Sequence, residues 1–292
     1  MGNRIDSYSP LPYALNKLIA WYQCSNAPLK YRFWQKTRRM MANKVIRHYF
    51  SGRPFDVPWD QWCFWLEKGP AQYYPEEIIP FTEQLNAFGQ PFDFIDLGAD
   101  VGVVSLAVAQ NCPNIKQLLA IEPNPAAYQL LQKNIAALPV HGSTINAAIS
   151  DYDGSAMLQC NATTISDHGG SISYGQPGQT QVFKLDSLIK LLQPEPSDRL
   201  AVKLDVEGQE MQFFAGASHT IKQASRVVLL LEVHPKVLTR NDQTPELLFE
   251  AAEALRPFKW FVPAIGSSEV DRSKLFFEQF EQQQYDIIGV SQ

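Results

Sequence analysis

A chain of 292 residues, 45% hydrophobic and 19% charged, has the composition of a globular protein and enough apolar material for one large domain, or a domain plus an arm. No apolar run approaches the ~18–20 residues of a membrane span, residues 1–12 lack the basic flank and apolar stretch of a secretory signal, and Cys24, Cys63, Cys112 and Cys160 form no C-x-x-C metal or redox pair. These absences predict a cytoplasmic protein with reduced thiols, peripheral to a membrane at most.

The formal net charge of −5 hides an asymmetry: residues 1–80 carry 11 Lys+Arg against 6 Asp+Glu, and the remainder 14 against 24. A basic arm on an acidic body predicts that the arm meets an anion. Residues 1–85 read as a helical cap, aromatic and punctuated by prolines. Within it Lys30, Arg32, Lys36, Arg38, Arg39, Lys44, Arg47 and Arg53 occur with no acid among residues 30–53, interleaved with Tyr31, Phe33, Trp34, Tyr49 and Phe50. As a helix, this stretch either lies on an anionic membrane or anionic substrate, or packs its aromatics on the body while its charges answer the acidic face. Nucleic acid is the weaker partner reading. Trp59, Trp62, Phe64, Trp65, Tyr73 and Tyr74 follow as an aromatic zone, read as core packing, as cover for an adenine or as an acceptor pocket.

Residues 86–292 read as alternating strands and helices. Strands are predicted at Phe92–Leu97, Gln117–Glu122, Ser143–Ile149, Leu200–Asp205, Val227–Val233, Trp260–Val262 and Tyr285–Val290, with helices at Val103–Gln110, Ala126–Ala137, Gln209–Gly216 and Thr244–Leu255. This alternation predicts an α/β fold with a parallel sheet covered on both faces. An insertion, Asp151 to Asp198, holds two short strands, Ser155–Cys160 and Gln181–Leu185, around a Gly-, Ser- and Gln-rich loop, Ser166–Thr180. That loop reads equally as a lid and as a surface connection.

The first strand ends in Asp96-Leu97-Gly98-Ala99-Asp100-Val101-Gly102, and the second in Ala120-Ile121-Glu122-Pro123-Asn124-Pro125. Glycines allow a tight turn and close approach of a ligand to the main chain, and an acid at the second strand's tip suits two vicinal ribose hydroxyls. The dinucleotide spacing G-x-G-x-x-G is not met, because Asp100 and Val103 stand where the second and third glycines fall. Asp100 would repel a pyrophosphate. Asp96 and Asp100 suit S-adenosylmethionine, with its sulfonium and ammonium groups, better than NAD. The candidate cofactor set is Asp96, Gly98, Ala99, Asp100, Gly102, Glu122, Pro123, Asn124, Ala148 and Asp205.

Four further motifs follow in order: Asn146-Ala147-Ala148-Ile149-Ser150-Asp151-Tyr152-Asp153-Gly154, Phe183-Lys184-Leu185-Asp186-Ser187-Leu188, Val202-Lys203-Leu204-Asp205-Val206-Glu207-Gly208-Gln209-Glu210 and Leu231-Glu232-Val233-His234-Pro235. The ordered set, over roughly residues 90–235, resembles the FkbM-type methyltransferase family, with Lys-x-Asp-Val-Glu-Gly-x-Glu its most specific block. Asp100 departs from the family's usual Asn. The resemblance implies a Rossmann-like class I methyltransferase fold: a mostly parallel, seven-stranded sheet with helices on both faces, over residues 86–292. It also implies S-adenosylmethionine as methyl donor, and acceptors such as sugars, glycans, lipid-linked saccharides and polyketides.

Methyl transfer to a hydroxyl needs a base and a positioned acceptor. Asp205, at the carboxyl end of the fourth strand, is the first choice for base or acceptor anchor, since ligands bind outside those ends. Glu207 orients a sugar hydroxyl or starts the next helix. His234, after the fifth strand, is either a second base or a helix cap. Glu210 suits the positive end of the helix it opens, and Lys203 a buried structural pair with an acid. His168, on the Gly-rich loop, is supported only by its location. No tight acidic pair calls for a metal. The function expected is O-methylation of a sugar, glycan or other small acceptor. The alternatives are a nucleic-acid methyltransferase using the basic arm and a non-catalytic protein that keeps the fold.

Overall fold

The computed structural model describes residues 8–159, 171–173, 178–191 and 195–292. The N-terminal segment is not all helical. It runs β1 (Ser9–Pro10), α1 (Tyr13–Cys24), α2 (Lys30–Thr37), β2 (Lys44–Phe50), β3 (Arg53–Pro58), α3 (Cys63–Leu66) and α4 (Pro75–Asn86). The single basic helix expected over residues 30–53 is therefore corrected to a short helix and a hairpin. Ser51 and Gly52, both at positive φ (48° and 80°), link β2 to β3, with the backbone hand that matches strand twist. Val45, Ile46 and Phe55 bury apolar side chains, while Arg47 crosses to Asp56 at 2.7 Å. Lys44 and Arg47 flank the buried pair Val45 and Ile46 in β2, whose β-branched side chains favour a strand.

The remaining elements are β4 (Phe92–Leu97), α5 (Val103–Asn111), β5 (Ile115–Ile121), α6 (Pro125–Ala137), β6 (Gly142–Ile145), β7 (Ala147–Ile149), β8 (Gly154–Gln159), β9 (Ser171–Ser173), β10 (Thr180–Phe183) and α7 (Leu185–Leu188). They continue with β11 (Arg199–Leu204), α8 (Glu210–Gly216), α9 (Ser218–Gln223), β12 (Arg226–Val233), α10 (Pro235–Arg240), α11 (Pro245–Glu253), β13 (Phe258–Val262), β14 (Ser268–Glu269), α12 (Phe276–Gln279) and β15 (Tyr285–Ser291). The main sheet has the order β14-β13-β15-β12-β11-β4-β5-β6. It contains the seven expected strands plus the two-residue edge strand β14. β4, β5, β6, β11 and β12 are parallel, and β15 is antiparallel between β12 and β13. This is the class I methyltransferase arrangement. Chain direction across the sheet reverses between β4 and β11, which opens a crevice at their carboxyl ends.

Each central strand is buried on both faces, as a covered parallel sheet demands. Phe92, Phe94, Leu118 and Leu230 point into one apolar layer, and Leu97, Leu119, Leu229 and Leu231 into the other. Ile46, Phe55, Trp59 and Trp65 of the N-terminal segment belong to the first layer, so this segment shares the core of the sheet it covers.

Two further expectations are corrected. The strand expected at Ser143–Ile149 is two, β6 in the main sheet and β7 in a separate sheet of order β7-β10-β8-β9. Asn146, between them, spends its side-chain amide on the carbonyls of Glu122 and Pro123, at 2.7 and 3.1 Å. Within the Gly-rich stretch, Ser171–Ser173 is a strand paired with β8. Cys160 and His168 lie outside the described residues.

Candidate active site

A cavity of about 300 Å³ opens at the carboxyl ends of β4, β5, β11 and β12. Gly98, Asp100, Glu122, Pro123, Asn124, Ala148, Asp205, Glu207 and His234 of the expected set line it, beside Ile121, Ala147, Ile149 and Glu232. Asp96, Ala99 and Gly102 do not line it; they shape the loop from behind.

The loop after β4 is built by close approach. Gly98 has φ +67°, and a Cβ there would collide with the carbonyl oxygen of Asp205. Only glycine tolerates both conditions. Gly102 (φ 87°) opens α5, and a Cβ on it would press on Leu131 and Ile135. Asp100 adopts φ 48°, and its backbone N–H donates to Glu122 Oε2 at 2.9 Å. Glu122 Oε1 accepts from the backbone N–H of Asn124 at 2.7 Å. Burial pushes the Glu122 carboxyl up to about 8, with the nearby Asp100 charge adding to it. The amide Nε2 of Gln61 donates to Asp100 Oδ2 at 2.5 Å, which ties the N-terminal segment to this loop.

Asp96 is fully buried. Ser105 Oγ donates to its Oδ2 at 2.6 Å, and Lys203 Nζ stands 4.0 Å from Oδ1. Lys203 also donates to the carbonyl of Gly98 at 2.8 Å and to Asp205 Oδ2 at 2.9 Å. Burial pulls the Lys203 ammonium down, but Asp205 and Asp96 outweigh it and hold the group charged. The structural pairing expected for Lys203 is thus present, and it links both acids to the loop.

Asp205 follows the end of β11 and is a third exposed to the cavity. It is hydrogen-bonded to Glu232, whose carboxyl is raised well above its ordinary range by burial and then by Asp205 and Asp286. Glu207, at φ 53°, sits in left-handed backbone that a non-glycine residue enters only when its surroundings hold it there. Burial pushes Glu207 up to about 7; Asp205 adds to the shift and Arg240 opposes it. His234 precedes α10 without a side-chain cap bond, and its Nδ1 has no partner among the described residues. Glu210 opens α8 and folds back to accept from the Gly208 N–H at 3.2 Å.

The aromatic zone divides. Trp59, Phe64 and Trp65 are core, whereas Trp62, Tyr73 and Tyr74 line the cavity. Sequence reasoning missed three contributors. Gln61 braces Asp100. Glu77 shares a hydrogen bond with Asp286, whose carboxyl burial and then Asp205 push up to about 6. Asn134 accepts from the Asp56 N–H at 2.8 Å and donates to the carbonyls of Asp56 and Val101 at 2.9 and 2.8 Å. A buried polar residue on the apolar face of α6 is the one signal that pointed to Asn134. Among the described residues no group of three or more His, Cys, Asp or Glu is disposed to hold a metal ion.

Residues 96–255, more than half of the chain, match the family model of the methyltransferase FkbM domain. No curated protein matches the sequence. Among solved structures, methyltransferase FkbM from Methylobacillus flagellatus KT aligns at 15% identity with a TM-score of 0.41, over 79% of this chain and 52% of that one. The chain thus spans about half the length of that protein. TYW2 of M. jannaschii, solved in complex with AdoMet, aligns at 14% identity with a TM-score of 0.38, over 85% of this chain and 84% of that one. Precorrin-6y C5,15-methyltransferase from Geobacter metallireducens GS-15 aligns at 14% identity with a TM-score of 0.39, over 74% and 88%.

Proposed function

The chain belongs to the methyltransferase FkbM family, so its domain is an S-adenosylmethionine-dependent methyltransferase domain, and we propose that the protein O-methylates a hydroxyl of a sugar, glycan or other small acceptor. The observation that carries this reading is the convergence of Glu122, Asp205, Glu207 and His234 on one cavity.

The residues fit the cofactor. Each Glu122 oxygen accepts one backbone N–H and keeps a lone pair for a ribose hydroxyl. Ile121, Ala147, Ala148 and Ile149 offer apolar and small walls for an adenine. Asp100 and Asp205 supply negative charge toward a sulfonium and an ammonium. When bound, S-adenosylmethionine supplies a methyl group on a positively charged sulfur, open to displacement by an oxygen.

The chain's own residues then divide the remaining work. Trp62, Tyr73 and Tyr74 present aromatic faces, which suit a sugar ring and keep water from its hydroxyls. Asp205, fixed by Lys203, is better suited to anchoring the acceptor hydroxyl than to taking its proton. Glu207, pushed up to about 7, has the basicity that proton removal near neutral pH demands. The base thus moves from Asp205, the first choice on sequence, to Glu207, with His234 next. The described N-terminal segment caps the acceptor side through Trp62, Tyr73 and Tyr74.

The test has two stages. Calorimetry with S-adenosylhomocysteine and with NAD examines the cofactor; tighter binding of NAD overturns the reading. Methyl transfer from S-adenosylmethionine to a panel of sugars, glycans and RNA then finds an acceptor. Glu207→Gln should lower turnover by about two to four powers of ten and remove the pH dependence near 7, with cofactor affinity unchanged. Near-normal turnover shifts the base to His234. Methylation of RNA alone favours the nucleic-acid alternative.

A further inference from the structure

Helix α1 is inverted for a surface helix. Its buried residues are Asn16, Ile19 and Gln23, while Tyr13, Leu15, Leu18 and Trp21 are 68%, 41%, 58% and 66% exposed. An ordinary surface helix hides its apolar stripe and shows its polar one. Here the inward polar residues are fixed by hydrogen bonds. Asn16 extends the edge of β2, donating to the Arg47 carbonyl and accepting its N–H, both at 2.8 Å. Gln23 Oε1 accepts from the buried ring of His48 at 2.8 Å. The helix therefore docks through Asn16 and Gln23 as well as through Ile19 and Tyr22, and Leu15, Leu18 and Trp21, three residues apart, share the face turned to solvent.

The rim of that face is aromatic and basic. Lys17 Nζ lies 4.6 Å from the centre of the Tyr13 ring. The exposed Tyr49 is close enough to act electrostatically on Lys17 and is hydrogen-bonded to Arg47. Residues 7–55 contain nine Lys and Arg and no Asp or Glu. Of these, Lys17, Arg32, Lys36, Arg38 and Arg39 are exposed and reach no carboxylate among the described residues. No helix of the described residues is long and apolar enough to cross a membrane, so a lipid contact here would be superficial.

We propose that the outer face of α1 lies in the interface of an anionic lipid bilayer, with Leu15, Leu18 and Trp21 entering the acyl boundary and Lys17 meeting the headgroups, and with the other exposed cations of residues 7–55 adding to the attraction. Apolar insertion and headgroup attraction are the two contributions by which such helices hold to membranes, and Trp and Tyr favour that depth. A second copy of the chain would set one acid-free basic segment, residues 7–55, against another and leave both uncompensated. An anionic bilayer satisfies both the apolar face and its rim.

The test is sedimentation of the full chain with vesicles of phosphatidylcholine alone and of phosphatidylcholine with phosphatidylglycerol, at low and high salt, beside sedimentation equilibrium of the protein alone. The expected result is binding to the anionic vesicles that weakens at high salt. Leu18→Glu with Trp21→Glu should reduce it at least about tenfold, and Lys17→Glu should reduce it while weakening its salt dependence. All three substituted positions are exposed, so thermal unfolding and cofactor binding should stay as in the native chain. Two outcomes overturn the proposal: no binding to anionic vesicles, and a dimer of the protein alone that the double variant dissociates. The second would make α1 an interface between copies.

Discussion

Lys203→Met removes the cation that joins the two halves of the site while keeping most of the side chain's length and apolar stem. In the native chain Lys203 Nζ reaches Asp205 at 2.9 Å, Asp96 at 4.0 Å and the Gly98 carbonyl at 2.8 Å, with its side chain only 10% exposed. Asp205, a third exposed, can regain water. Asp96 cannot, because its side chain is 1% exposed. Breaking a buried pair by removing one partner costs about 3–5 kcal/mol, mainly as the uncompensated charge left behind. With an unfolding entropy of about 2 cal/mol/K per residue, that corresponds to a fall in Tm of about 5–8 °C. The loss should also depend on pH. Burial already raises the Asp96 carboxyl and Lys203 holds it down; without Lys203 the folded value rises further above the unfolded one. Between the two values the native state keeps a proton that the unfolded chain has released, so stability falls as pH rises, by up to about 1.4 kcal/mol per unit. Urea unfolding of both proteins across a pH series reads both effects. A loss within about 1 kcal/mol, or one equal at all pH values, would refute the view that Lys203 compensates Asp96.

Three further outcomes are expected. Affinity for S-adenosylhomocysteine should rise with pH through about 8 as Glu122 ionises, and Asp100→Asn should move that midpoint down; calorimetry showing flat affinity over the range would exclude Glu122 as the ribose acceptor. Asn134→Leu should cost about 3–5 kcal/mol, because the Asp56 N–H and the carbonyls of Asp56 and Val101 lose their partner, and should weaken cofactor binding by loosening the loop; a urea midpoint within error of native would refute this. Burial lowers His48 to about 4, so its contribution of about 3 kcal/mol is complete above the unfolded value near 6.5 and is lost as pH falls toward 4; His48→Gln should flatten the acid limb of the stability curve.

Asp96-to-Gly102, Glu122 and the Lys-x-Asp-Val-Glu-Gly-x-Glu block were legible because they obey local rules. Glycine is required where the chain turns tightly against Asp205, and period-2 and period-3.6 patterns mark strands and helices within a few residues. From these the parallel sheet and the shared crevice follow, whereas the place of β15, antiparallel inside the sheet between β12 and β13, does not. The hairpin β2–β3 carried a local signal too, Ser51-Gly52 between apolar runs, but the density of Lys and Arg masked it. Other features had no local signal at all. Nothing near Asp96 says that it is sealed behind the loop while Asp205, 109 positions along the chain, faces the cavity. The pairing of both acids with Lys203, the raised carboxyls of Glu122 and Glu207, the brace from Gln61 and the outward apolar face of α1 are likewise decided by packing. Backbone preference is a property of neighbouring residues, whereas burial, counter-charge and hydrogen-bond partnership belong to groups that only folding brings within a few ångströms.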